Sequence, residues 1–361
     1  FVLLFVCSFA QTGQRLDYRF HYLTPADGLA GNHALFIVQD ADGYVWIYTF
    51  KDGLQRYDGI RFQEMGQQFL NRETNTYQIQ ELAFFDGYLY VRAAGEIFVY
   101  NPMNQKFDTA HFRDHLPRVS FSDEKGGIWE IGDHSLSVYN KDGKRIYEQT
   151  FLNRFSGVNS KMIYDSVRSQ YWLSKDAELY LLDVASGKVF SSGNHHGHPL
   201  LQFLNRRGDF MVANMIVDTN DNFWIATWGG HFYKFNLRTH RVKEYFIAQI
   251  LEKEVVNIRK GPLGINHLFL DNHCQLWACT YGAGLLKYNK ESDNFDYLVA
   301  DKSNQYGIQY NYETKSMLQD RQDNIWVGTD KGISIFNPYR EYFKTLRNEP
   351  GNAGSLPYSE I

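Results

Sequence analysis

Internal repetition constrains this chain most. One unit reads Asp40-Ala41-Asp42-Gly43-Tyr44-Val45-Trp46-Ile47-Tyr48-Thr49, then Gly53-Leu54-Gln55-Arg56-Tyr57-Asp58. Another reads Asp320-Arg321-Gln322-Asp323-Asn324-Ile325-Trp326-Val327-Gly328-Thr329, then Gly332-Ile333-Ser334-Ile335-Phe336-Asn337. The two align without a gap through Thr49 and Thr329, and each reads turn, strand, turn, strand. The unit recurs at Trp224 and Trp277, more loosely at Trp129 and Trp172, and in a degenerate copy with Tyr90 in the Trp position. In every copy a second landmark, such as Tyr57, Tyr100 or Phe235, falls ten or eleven residues after the first. Seven copies roughly 40–50 residues apart match the period of four-stranded propeller blades.

The physics of the unit agrees. An Asp-Gly or Asp-Asn turn tolerates positive φ and permits a tight hairpin. The following strand places its Trp on one face, and the next strand ends in an aromatic followed by Asn or Asp, which opens another turn. An isolated blade cannot bury both faces; a closed ring can. The expected fold is all-β: one seven-bladed β-propeller of four-stranded antiparallel blades, almost without helix. Its inner strands are predicted at Ala34–Gln39, Gln78–Phe84, Arg118–Phe121, Ser160–Tyr164, Ala213–Val217, Asn266–Leu270 and Lys315–Gln319. Trp46, Trp129, Trp172, Trp224, Trp277 and Trp326 should be buried between sheets rather than form a sugar platform. The stretch Tyr18–Leu23 precedes the first inner strand, so it is expected to close the ring as the outer strand of the seventh blade. Glu341–Thr345 competes for that place.

Composition fits a globular chain, with 43% hydrophobic residues, 29 Gly against 8 Pro, and 25 Tyr and 27 Phe for strands. The net charge of −4, with both signs mixed, leaves no electrostatic footprint for nucleic acid. Residues 1–10 form an apolar run too short to span a bilayer and end in a Ser8-Phe9-Ala10 cleavage pattern, as in the remnant of a signal peptide. The predicted organisation is therefore 1–10 signal remnant, 11–343 propeller, and 344–361 the start of a second, truncated propeller, because Gly354-Ser355-Leu356 echoes the approach to the first blade. Cys7 falls in the removed segment, and Cys274 and Cys279 read as two free thiols.

The units at Trp46, Trp224, Trp277 and Trp326 resemble the two-component regulator propeller repeat, D-x-x-G/N-φ-W-φ-G-T-x-x-G-φ-x-φ-φ-N, and the other three resemble it loosely. The likeness extends over essentially the whole chain after residue 10. It implies the periplasmic sensor region of a hybrid two-component protein, with a second propeller and a membrane-anchored histidine kinase as partners. It also implies an oligosaccharide ligand, glycan-utilisation genes as the output, and a homodimer when full length.

The residues suggest no cofactor and no metal. Asp40-Ala41-Asp42-Gly43 opens like an EF-hand, but loop position twelve is Lys51 where glutamate is needed. His195-His196-Gly197-His198 lacks carboxylates at ligand spacing and reads as a solvated loop between the fourth and fifth blades. No nucleophile, zinc-protease or phosphate-loop motif is present. The fragment is thus read as a non-enzyme, with a propeller polysaccharide lyase or glycoside hydrolase as the alternative and a protein-interaction scaffold as the second.

Ligand contacts should come from loops, which differ between blades. The connections between second and third strands supply Lys51, Arg92, His134, Lys175, Trp228, His231, Tyr281 and Lys331, all expected on one end of the ring. The loops entering the inner strands, such as Asn32-His33 and Tyr306 to Tyr310, open on the same end.

Overall fold

The computed structural model describes residues 13–340, apart from 75, 86, 94–95, 110–118, 122–127, 132–134, 140–143, 151–160, 166, 176–177, 184–187, 192–197, 208–211, 252–262, 301–303, 305 and 309–312. Seven four-stranded antiparallel sheets and one two-stranded hairpin form among the described residues. The sheets are the seven blades. Their first strands, Ala34–Gln39, Ile79–Phe85, Val119–Phe121, Lys161–Asp165, Val212–Val217, Gly264–Leu270 and Glu313–Gln319, lie within two residues of the expected positions. Those of blades 7, 1 and 2, and of blades 4 to 7, touch their neighbours in turn and so stand innermost.

Six blades take their four strands in chain order. The seventh borrows its outer strand: Phe20–Leu23 pairs antiparallel with Gly332–Phe336, Phe20 opposite Phe336 and Leu23 opposite Ile333. This joins the two ends of the ring and covers an edge that would otherwise template aggregation. The competing Glu341–Thr345 lies outside the described residues.

Each well-formed blade rests on one carboxylate used twice. Asp40 Oδ1 accepts the backbone N–H groups of Asp42 and Tyr44 at 3.0 and 2.9 Å, while its Oδ2 accepts the Trp46 indole N–H at 2.7 Å. Asp218, Asp271 and Asp320 hold their turns in the same way and bind Trp224, Trp277 and Trp326 at 2.8, 2.9 and 2.8 Å. The turn thereby satisfies the one polar atom of a ring that the sheets bury. A buried indole N–H left unpaired would cost about 1–3 kcal/mol. Trp46, Trp172, Trp224 and Trp277 are fully buried and Trp326 is 6% exposed. Tyr90 is buried in the Trp position of blade 2. The side chain of Trp129 lies outside the described residues. Thr49, Thr227, Thr280 and Thr329 are buried and close the next turn through their hydroxyls.

Helix is scarce, as expected: a nine-residue helix, α1 (Pro199–Arg207), and a single turn, α2 (Ile247–Ile250), are the α-helices among the described residues. Leu200, Leu201 and Leu204 of α1 fill the space beside Trp172 and Phe223 between blades 4 and 5. His198, expected in a solvated loop, packs edge-on to Trp172 with ring centroids 5.4 Å apart. Burial next to an indole lowers its pKa to about 4, with a smaller contribution from His240. Residues 195–197 lie outside the described residues. Cys274 is half-buried, Cys279 is buried, and neither forms a disulfide among the described residues.

Candidate functional site

The connections between second and third strands meet the loops that enter the inner strands at one end of the ring. Backbone hydrogen bonds stitch them together: Phe50 donates to the His33 carbonyl at 2.7 Å, Tyr77 to Lys51 at 3.1 Å, and Gly332 to Asn32. The expected residues fall into groups here.

The first group spans blades 7 and 1. Lys51 adopts φ 67° at the tip of its turn, and its ammonium lies 5.0 Å from the Phe50 ring centre. Phe50 is 44% exposed and stands edge-on to His33 at 5.7 Å. Lys331, also exposed, precedes the Gly332 that bonds to Asn32, so both lysines flank the Asn32–His33 loop. The second group spans blades 5 and 6. A Cβ at Gly264 would lie 2.9 Å from the Trp228 carbonyl oxygen and 3.8 Å from the Tyr281 Cβ. Only glycine lets these two loops approach so closely. Trp228 is half-buried and Tyr281 is 45% exposed, so two aromatic residues flank Gly264, Trp228 through its carbonyl and Tyr281 through its Cβ.

Other expected residues are drawn away from these groups. Arg92 pairs with Glu81 on the adjacent first strand at 3.3 Å. His231 bonds Glu244 at 2.9 Å and stacks on Phe246 at 4.5 Å, both on the outermost strand. His134 and the side chain of Lys175 lie outside the described residues. Sequence spacing did not single out the inner-strand contact between Asn214 and His267, 3.1 Å across blades 5 and 6. It also missed a groove of about 740 Å3 between blades 7 and 1, floored by Trp326 and Tyr57.

The perturbed carboxylates lie in structural clamps. Asp293, on a turn of blade 6, accepts bonds from Lys234, Lys243 and Tyr245 of blade 5 and from Tyr288 of its own blade. Burial pushes its carboxyl up, but these four donors overcome that and hold it far below the usual carboxylate range. Asp221 is held low by Arg168, which also bonds Asp165.

Residues 307–331 match the two component regulator propeller repeat. Over 215 residues the chain is 23% identical to Histidine kinase P4 of Formosa agariphila, covering 58% of this chain and 14% of that protein. The extracellular domain assigned to the one component system BT4673 of B. thetaiotaomicron superposes with a TM-score of 0.65 at 21% identity, covering 91% of this chain and 41% of that one. A second structure of that domain, assigned to a hybrid two component system, gives 0.63. A streptogramin B lyase superposes with a TM-score of 0.59 at 11% identity, covering 89% of this chain and 98% of that one. The chain thus spans less than half the length of the histidine kinase and of the one- and two-component extracellular domains, and its fold also occurs in a lyase.

Proposed function

We propose that this propeller is the periplasmic ligand-sensing part of a hybrid two-component protein, and that it binds an oligosaccharide without altering it. A ring shared by sensors and a lyase does not assign an activity, so the site must. The supporting observation is the Trp228–Gly264–Tyr281 junction, where two partly exposed aromatic residues share one end of the ring with the exposed Lys51 and Lys331. Aromatic faces stack on sugar rings, while lysines address their hydroxyl or acidic groups. The carboxylates whose pKa is most displaced are locked in inter-blade clamps, which favours binding over hydrolysis or elimination. In the whole protein a second propeller and a membrane-anchored histidine kinase would carry the signal to glycan-utilisation genes, with a homodimer as the signalling unit.

Calorimetry against a panel of oligosaccharides, with product analysis of the same mixtures, tests this reading. Trp228→Ala or Tyr281→Ala should weaken binding by about 1–3 kcal/mol, the scale of ring stacking on planar ligands. Turnover of a glycan at enzymic rates would replace the sensor with the lyase or hydrolase alternative. Binding of a protein but of no glycan would favour a scaffold.

A further inference from the structure

The turn that carries Trp228 is held from outside its own strands. Gly230 sits in this turn at φ 80°, and a Cβ there would lie 3.0 Å from the Leu263 carbonyl oxygen and 3.5 Å from Ile247 Cδ1. The Gly230 carbonyl accepts the N–H of Ile247 at 3.0 Å, which bonds the turn to the start of α2. Leu263 leads into Gly264, whose backbone approaches the Trp228 carbonyl. The placement of the aromatic junction thus follows the placement of α2.

A single helical turn does not hold itself: so short a helix needs tertiary contacts, and its last carbonyls have no partner inside it. Two supports reach α2. Ile247 and Ile250 are buried in one cluster with Trp224, Phe232, Phe295 and Tyr297. The Ile250 carbonyl accepts the N–H of Gly13 at 2.9 Å, from the other end of the chain. Residues 14–16 then run beside Asn294–Leu298, the outer strand of blade 6. Tyr297 donates to the Gln14 carbonyl at 2.9 Å, Leu16 to the Tyr297 carbonyl at 2.8 Å, and the Gln14 N–H to the Asp296 carboxylate at 3.0 Å. Gly13 is buried, and a Cβ there would overlap the Phe295 carbonyl oxygen and lie 3.3 Å from Ile250 Cγ2. Only glycine lets the chain pass so close to both.

Blade 1 is built differently. Its equivalent turn is bonded at the Lys51 carbonyl by Tyr77, which stands in a hairpin of Leu70–Asn71 with Thr76–Tyr77 closed by its own stretch of chain. No such hairpin follows blade 5 among the described residues; α2 takes its place, and the N-terminal residues pin it.

We infer that residues 13–16 are a positioning strap for the Trp228–Tyr281 junction, with Gly13 as the positioning residue: fastened to Ile250, they fix α2, and α2 fixes the turn that presents Trp228. The binding role of the junction rests on the sensor reading above; the mechanical link rests on these bonds alone.

Hydrogen exchange on the full chain tests the link without a ligand. In Gly13→Ala the Ile247 amide, which reports the bond to Gly230, should exchange about tenfold or more faster, together with the amides of Gly230 and Leu251, while Val45–Thr49 and Gly53–Tyr57 of blade 1 keep the parent rates. A chain lacking residues 1–13 keeps Phe20–Leu23 and adds no clash, so it should show the same pattern even if Gly13→Ala does not fold. Calorimetry with maltohexaose, cellohexaose, xylohexaose and trigalacturonate supplies the binding arm. For whichever of these the parent binds and Trp228→Ala loses, both strap variants should weaken affinity about fivefold or more, because the turn must be ordered on binding. Parent rates at Ile247 in both variants overturn the strap, and so does acceleration that is equal in blade 1. Fast local exchange with full affinity for such a sugar overturns the positioning role, as does sugar binding that survives Trp228→Ala. If none of the four sugars binds the parent, the saccharide reading fails, and the exchange rates still decide whether the strap fixes the turn.

Discussion

The Lys287 ammonium donates to the phenol of Tyr18 at 3.0 Å, across 269 positions of chain. Tyr18 stacks on Phe336, 5.4 Å between centres. Phe336 holds the place that Tyr100 and Tyr288 hold in their blades, but has no hydroxyl to offer. The N-terminal segment supplies one, and with it a bond between blades 6 and 7. Tyr18→Phe should therefore cost about 1 kcal/mol, the worth of one hydrogen bond to a charged donor at a half-buried place. Removing residues 13–23 should do far more, because it strips the outer strand from blade 7 and bares Gly332–Phe336. Urea unfolding monitored by tryptophan fluorescence checks the first, and light scattering on warming the second. An unchanged midpoint for the truncated chain would show that another segment closes the ring.

Trp224 and Trp172 are both fully buried, yet only Trp224 has an indole partner, Asp218 at 2.8 Å. In blade 4, Asp165 is engaged by Arg168 instead, and the Trp172 indole nitrogen has no hydrogen-bond partner among the described residues. Both Trp→Phe replacements remove similar volume. Trp224→Phe should cost about 1–2 kcal/mol more than Trp172→Phe, the difference being the lost bond and the carboxylate left short of a donor. Paired denaturation curves measure this, and equal losses would mean that the indole bond contributes nothing net.

His198 provides a pH signature. Its folded pKa is lowered to about 4 by burial against Trp172 and by His240, whereas an unfolded His titrates near 6.5. Between these values the unfolded chain binds the extra proton, so stability falls as pH drops from about 6.5 towards 4. His198→Gln should flatten that slope. An identical slope in the variant would mean that other groups produce it.

Asp293 acts in a lower window. Its folded pKa is depressed, so its contribution is fully present above the unfolded carboxylate value of about 4 and is lost as pH falls below it. The side chain is 41% exposed, so solvent screens part of the effect. Asp293→Asn should lower stability at neutral pH, with a smaller loss below pH ~4, where the parent carboxylate begins to protonate. The ratio of unfolding midpoints at pH 7 and pH 3 is the measurement.

Gly264→Ala probes the aromatic junction without altering either ring. The new methyl would meet the Trp228 carbonyl at 2.9 Å, and backbone must move to admit it. A stability loss of about 1–3 kcal/mol is expected, as for overpacked sites. If the junction is the sugar site, affinity falls together with stability. Full affinity in a destabilised variant would place binding elsewhere on the ring.

The blade is legible in one dimension because its partners are close in sequence. An Asp reaches its own turn and a Trp six positions on, a Thr reaches the next turn, and an Asn opens the one after. Repetition turns these local arrangements into a count of seven, and the period implies closure. Helix α1 escaped because it sits between two copies, where no repeat constrains the reading, and its leucines answer only to the gap they fill.

The expected site residues were chosen as members of one end of the ring, and the sequence by itself determined little more about them. Tertiary structure decided which of them meet. Trp228 and Tyr281 belong to different blades and come together because Gly264 has no side chain. Arg92 and His231 were drawn to Glu81 and Glu244. Between blades 7 and 1 the bridge is Arg321, which donates to Gln39 and to the Asp40 and Ala41 carbonyls, where Arg56, Lys234 and Lys287 bridge other junctions to a tyrosine. Such features depend on what a neighbouring blade does or does not fill. That is a property of packing across the ring, which the order of residues along one blade does not contain.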